Sequence, residues 1–352
     1  MNVKKQMDWI NAGKFVAILA VIIDHCYGIH ENYGVRILTF LSVSLFILLS
    51  GVTTYFSCER QATQGSWKDT VRRIGKIFIP YAVATAVYQL AHFRVLNFEH
   101  YYTALINFNA GQQFYYVLFY MQLILIAPFL FDIIQLINKK KHALILHIVA
   151  VLLCSCVAAL TIRFTIFPGF FGGAANLLGG TYLILFYIGM AFSSCKIQIK
   201  STKPAVILAG VSTVLLASWV IFLRTNGIEV DFFIPFGNRI NPPGILLMVY
   251  ALLAAVFIFG IYSLIEVTGN KVMARIAHVI SKPGKYTLYI FLYHYVVLDL
   301  LLPVIPAAAY QYKYLLTVAV ASVMVLIPVL LEIAVNAGKT FYRNKIKNQP
   351  SN

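Results

Sequence analysis

Charge is scarce in this chain. Charged residues make up 11% of its 352 residues against 60% hydrophobic, and the mean hydropathy is +0.80. A soluble domain carries roughly a quarter charged residues and about half apolar ones, so this composition excludes one and calls for lipid around the chain. Cysteines are few, five in all. Cys154 and Cys156 sit in an apolar run without the CxxC spacing or histidine partners of a metal or redox site. They read as buried small hydrophobes, and no metal is expected. Loops longer than roughly 20 residues are lacking, which leaves no room for a separate soluble domain. A repeat of fixed period is lacking too, so residues 1–352 read as one domain.

What is abundant is apolar sequence. A membrane-spanning helix needs about 20 mostly apolar residues at about 1.5 Å each. Such stretches, separated by charged residues or Gly, Pro and Asn, fall near 9–28, 36–57, 76–95, 113–134, 143–165, 178–195, 205–224, 244–266, 286–305 and 314–336. The predicted fold is all-α, a polytopic integral membrane bundle of about ten transmembrane helices.

The net charge of +16 could suggest nucleic acid, but its distribution argues against that partner. Lys and Arg divide about 21 to about 6 between alternate loops, with Lys14 alone inside a span. The rich set includes Lys4 and Lys5, the 58–76 loop, Lys139 to Lys141, the 267–285 loop and the tail with Arg343, Lys345 and Lys347. By the positive-inside rule that side is cytoplasmic, and an even number of spans returns both termini to it. The first span superficially resembles a signal peptide. It is too long, carries Asp24 and His25 and lacks a convincing cleavage site, so a retained helix is expected.

Ionisable residues within hydrocarbon are costly, about 2.5–3.5 kcal/mol on insertion scales, and therefore point to function. Lys14 and His25 are eleven positions apart. That turns an α-helix within roughly 20° of three full turns and rises about 16 Å, so the two share one face. Read alone, Lys14 could be snorkelling to the headgroups and His25 could be a satisfied interhelical partner. The ninth span brings a second imidazole, His294, about 13 Å inward from Lys285, for which helix packing and catalysis are both open. Asp299, five positions on, does not share its face. Ser50 and Gly51 form a small pair that permits close helix approach. Arg72, Arg73 and Lys76 are explained by positive-inside sorting or by an anion site at the membrane surface. The loops near 94–112 and 225–243 contain Asn107, Asn109, Gln112, Gln113, Tyr101 and Tyr102, then Asn238, Asn241, Pro242 and Pro243. Such mixtures suit carbohydrate contact and equally an interfacial aromatic belt.

Taken together in order and spacing, these residues resemble the acyltransferase-3 family of bacterial membrane proteins, which move acyl groups onto sugars and other envelope acceptors. The likeness runs through Lys14 and His25, where the family more commonly has Arg in the first place, and through Phe46 to Gly51, with Ile47 in place of a second Phe. It continues in the basic run before Pro80, the aromatic stretch from Tyr115 through Tyr116 to Pro128, and Tyr286 to His294, with Thr287 and Phe291 as substitutions.

The resemblance implies an O-acyltransferase of the bacterial cytoplasmic membrane, using cytoplasmic acyl-CoA, usually acetyl-CoA, as co-substrate with no permanently bound cofactor. The acceptor would be a hydroxyl of a cell-envelope glycan or similar molecule. Lys14, Arg72, Arg73 and Lys76 would then clamp the CoA phosphates. Lys14 lacks the bidentate phosphate contact available to Arg. His25 would act as general base or brief acyl carrier. His294 would polarise the carbonyl or support the site, and Asp24, about 100° from His25 on the helix, would face the acceptor. Some family members carry a hydrolase-like domain after the last span. Here a short basic tail follows, so delivery to the acceptor unaided or through a separate partner is expected. A homo-oligomer is compatible with the sequence. The rival reading is a transporter or flippase of a saccharide or lipid-linked intermediate, with Pro80, Pro128 and Pro328 as candidate helix breaks; a noncatalytic membrane sensor or scaffold is the other.

Overall fold

A computed structural model describes residues 3–62, 67–163, 177–227 and 242–347. Asn238 and Asn241 lie outside these residues, and the side chains of Lys4, Lys5 and the tail cations are also outside the description. All regular structure among the described residues is helical. The α-helices are α1 Val3–His25, α2 Tyr27–His30, α3 Tyr33–Thr39, α4 Ser42–Ala62, α5 Trp67–Phe93, α6 Phe98–Asn107, α7 Tyr115–Asn138 and α8 Ala143–Arg163. They continue with α9 Tyr182–Ser194, α10 Thr202–Asn226, α11 Ile245–Thr268, α12 Lys271–Ser281, α13 Thr287–Leu301 and α14 Lys313–Lys347.

Helix is what apolar surroundings demand, because it satisfies every backbone N–H and C=O within the segment. Eight helical stretches among the described residues are long and apolar enough to cross a membrane. The 23-residue α1, with its charged residues, and the 13-residue α9 occupy the first and sixth places of the ten expected spans. Helices α5, α7 and α14 continue through Pro80, Pro128 and Pro328. Where the chain turns back at the bundle ends, asparagine side chains cap the next helix: Asn32 accepts from Val35 N–H, Asn97 from Glu99 and His100 N–H, and Asn270 from Val272 and Met273 N–H.

Helix α4 lies at the centre, packed on α1, α7, α9 and α11. Its crossing with α9 depends on reciprocal glycines. A Cβ at Gly51 would strike the Phe186 carbonyl, and one at Gly189 would strike the Leu48 carbonyl. Backbones meet here because neither residue has a side chain, and Ser193 Oγ donates across the contact to Val52 O at 3.3 Å. Helix α13 packs on α1, α5 and α14.

The outer helices α8 and α10 are mostly exposed, with Leu144, Leu152, Val206 and Val214 facing outward, as lipid contact requires. Cys154 is buried but Cys156 is exposed. Two positions turn a helix by about 200°, so only the first of this pair is the buried small hydrophobe that the sequence suggested for both.

Helix α12 lies beside the start of α1. His278 Nδ1 is 3.2 Å from Asp8 Oδ2, and Ser281 Oγ donates to Asp8 Oδ1 at 3.3 Å. Gly284, just beyond it, rests directly on the backbone of Asn11. The path of α1 through the bundle is therefore fixed from its first turns.

Candidate active site

At the basic end of the bundle, α1, α4 and α5 bring two cations together. Lys14 Nζ donates to Thr53 Oγ1 at 3.3 Å, and the Arg73 guanidinium donates to Thr54 Oγ1 at 3.1 Å. The two charges are close enough to interact. Among the described residues neither has a carboxylate within ion-pair distance. The two cations are held by the Thr53 and Thr54 hydroxyls and the Cys58 thiol, on which Asp132 also acts, and such a positive site can take an anion. Arg72 follows a different course. Adjacent residues on a helix diverge by about 100°, and Arg72 turns outward, 75% exposed, beside Asp69 at 3.9 Å. Lys76 is exposed as well. Of the four expected donor-binding cations, the fold unites Lys14 with Arg73 and sets Arg72 and Lys76 on the outer side of α5.

Further along, aromatic and hydroxyl groups line the interior. Tyr116 and Tyr120 stack at 5.5 Å between centroids, and both approach Ser50. Neither Ser50 Oγ nor the Tyr116 hydroxyl completes a hydrogen bond among the described residues, although both are buried. The Tyr116 ring touches Phe291 at 4.8 Å, and Phe291 lies 6.0 Å from the ring of His294. Gly51, next to Ser50, lets α4 approach α9 closely, which sets the depth of this wall.

The two histidines meet at the end of that wall. Their ring centroids are 5.2 Å apart, and the ring of Tyr295 meets His25 edge-on at 5.1 Å. His294 is fully buried. Its Nδ1 lies 3.0 Å from the Ile290 carbonyl and 2.8 Å from the Phe291 carbonyl. Carbonyl oxygens only accept, so Nδ1 carries the proton and Nε2 presents a lone pair. Nε2 is buried with no hydrogen-bond partner among the described residues. This tautomer corrects one expectation: a neutral His294 has no Nε2–H with which to polarise a carbonyl. It can only accept at that atom.

Asp24 leaves the histidine pair. Its Oδ1 accepts from Arg36 Nε at 3.3 Å and from Thr39 Oγ1 at 3.1 Å, which ties the end of α1 to α3. Asp299 reaches across to α5, where its carboxylate is 3.5 Å from His92 Nε2. Sequence reasoning passed over Thr53, Thr54, Tyr120, Tyr295 and Gly189. The hydroxyl residues had a faint signal in their spacing, since Ser50, Thr53 and Thr54 fall at i, i+3 and i+4 of one helix and so share a face.

The model of a family described as an acyltransferase domain matches residues 7–333, nearly the whole chain. The chain belongs to the acyltransferase-3 family. It is thus a membrane acyltransferase, and the match includes all the helices that carry the site. No curated protein and no solved structure matches it. Every residue of the two polar stations, Lys14 with Arg73 and His25 with His294, falls inside the acyltransferase-3 match.

Proposed function

We propose that this protein is an O-acyltransferase that takes an acyl group from acyl-CoA, acetyl-CoA first among the candidates, and places it on a hydroxyl of a cell-envelope carbohydrate. The observation that carries the reading is the pairing of His25, on the same helix α1 that positions Lys14 beside Arg73, with His294 of α13. A donor with an anionic head and a narrow thioester arm fits such an arrangement. The head binds at Lys14 and Arg73, and the arm runs past Ser50 and Tyr116 to the histidines about 16 Å away along α1. The basic end faces the cytoplasm, where acyl-CoA is made, and the acceptor enters from the opposite end.

In the reaction, His25 removes the acceptor hydroxyl proton as the oxygen attacks the thioester carbonyl. The new C–O bond forms, the C–S bond breaks, and the departing thiolate takes up the proton, leaving ester and free CoA. Once protonated, His25 has an N–H to offer His294 Nε2, the unpartnered acceptor of the ring 5.2 Å away between centroids, and that contact stabilises its charged form. Positioned general bases contribute typically 10²–10⁴-fold. The test is transfer of labelled acetyl from acetyl-CoA to an envelope glycan extract by protein reconstituted in lipid. His25→Ala should lose about that factor, and undiminished turnover would remove His25 from the mechanism.

A further inference from the structure

A cavity of about 380 Å³ opens where the first turns of α1 meet α11, α12 and the segment after α9, apart from both polar stations. That volume is within the range of small-molecule sites. Its rim carries charges of both signs. Glu266 and Lys271 are in no ion pair among the described residues, and Asp8 is held by His278 and Ser281. Its inner wall is apolar. Trp9 and Phe259 line it and continue into two smaller spaces of about 20 and 60 Å³. The deeper one runs between α4, α9 and α11, is lined only by apolar residues and Gly189, and reaches Val256, 39% exposed on the outside of α11. Helix α12 sets the level of the mouth. Ala274, Ala277 and His278 turn to the cavity, whereas Val272, Ile276 and Val279 are exposed on another side and Lys271 and Arg275 fall between. An exposed apolar side edged by cations is the pattern of a helix lying in the headgroup layer of a bilayer, so the cavity opens at headgroup depth.

We infer that this cavity is a phospholipid site and that it takes one lipid with a primary ammonium headgroup, of the phosphatidylethanolamine type. The ammonium meets Glu266 and the phosphate meets Lys271. A headgroup that joins a cation to an anion complements a rim whose two unpaired charges have opposite signs, whereas a purely anionic headgroup would set its charge against Glu266 and Asp8. The ammonium also supplies three N–H donors for those carboxylates; a quaternary headgroup supplies none. One acyl chain passes Trp9 and Phe259, enters the apolar crevice between α9 and α11, and rejoins the bilayer at Val256. Lipid tails are as apolar as that wall, so moving the chain there changes little in free energy. The headgroup contacts therefore decide which lipid is held. Asp8 and Trp9 lie less than two turns before Lys14 on α1, so the bound lipid ties the start of that helix to α11 and α12. The site does not depend on the acyl-transfer reading above.

The test follows tryptophan fluorescence of the full protein, delipidated in detergent, during titration with phosphatidylethanolamine brominated along its acyl chains, since bromine quenches an indole that it touches. Expected is a saturable quenching component that Trp9→Phe removes and that brominated phosphatidylglycerol does not produce at the same concentrations. Its midpoint should rise about two- to fivefold in Glu266→Gln, the effect of one exposed charge contact. Ala274→Phe places a ring in the cavity from an exposed position; it should abolish the component and leave the lipid-free unfolding temperature near the unmutated value. No saturable component in the unmutated protein, or one that survives Ala274→Phe, overturns the site. A midpoint equal for the two lipids, or unmoved in Glu266→Gln, overturns the ammonium headgroup.

Discussion

Two adjacent arginines offer a sharp prediction, because the fold gives them opposite surroundings. Arg73 turns inward to Thr54 and shares its space with Lys14, whereas Arg72 is 75% exposed beside Asp69. A charge-assisted contact with a CoA phosphate inside the bundle is worth about 1.5–3 kcal/mol, or roughly 10- to 150-fold in affinity. An exposed charge contributes about 0–1 kcal/mol, at most about fivefold. Arg73→Ala should therefore weaken CoA binding at least about tenfold, and Arg72→Ala by less than about fivefold. Lys14→Ala should behave like Arg73→Ala, and Lys76→Ala like Arg72→Ala. Calorimetric titration of the detergent-solubilised protein with CoA reads all four. Equal losses for Arg72→Ala and Arg73→Ala would refute the inward site and return the phosphates to the outer side of α5.

Other consequences are equally direct. Gly51→Ala or Gly189→Ala drives a Cβ into a backbone carbonyl, so either should cost about 1–3 kcal/mol of stability, seen as a lower unfolding temperature; Gly210→Ala, with open space around it, should not. His294→Phe keeps the ring volume and removes the Nε2 acceptor, and is expected to preserve folding while reducing transfer about 10²-fold, within the range for acid–base groups. Unreduced transfer would make His294 a packing residue. Cys195 is exposed just beyond α9, whereas Cys26, Cys58 and Cys154 are buried. A membrane-impermeant maleimide should label Cys195 in inside-out vesicles and leave it unlabelled in intact cells, and the reverse pattern would invert the orientation assigned from the basic loops.

The helical bundle was legible because apolar runs of spanning length declare themselves, and most boundaries fell within a few residues. Helix α9 shows where that stops. An apolar run from 178 to 195 reads as one span, but Leu178, Gly179 and Gly180 adopt positive φ of 56°, 71° and 58°, and the helix begins only at Tyr182. Composition does not register that turn, since Leu and Gly are as apolar there as in a helix. The placing of Lys14 and His25 on one helix, eleven positions apart, was legible from the apolar run alone. The division between Arg72 and Arg73 was not, because it depends on which face of α5 meets α4. Gly189 is likewise an ordinary small residue until it is seen opposite Gly51. The His294 tautomer, which decides what that ring can do, comes from two carbonyls of its own helix and leaves no mark in composition or spacing.

The central claim is that His25 operates as an acyl-transfer group. The most direct measurement follows labelled acetyl from acetyl-CoA to an envelope glycan extract in detergent micelles, where no sealed compartment exists and a carrier has nothing to carry across. The unmutated protein should form labelled ester with matching release of CoA thiol, and His25→Ala should fall by about 10²–10⁴-fold while still binding CoA. Ester formation at the same rate in both proteins, or in neither, would contradict the account.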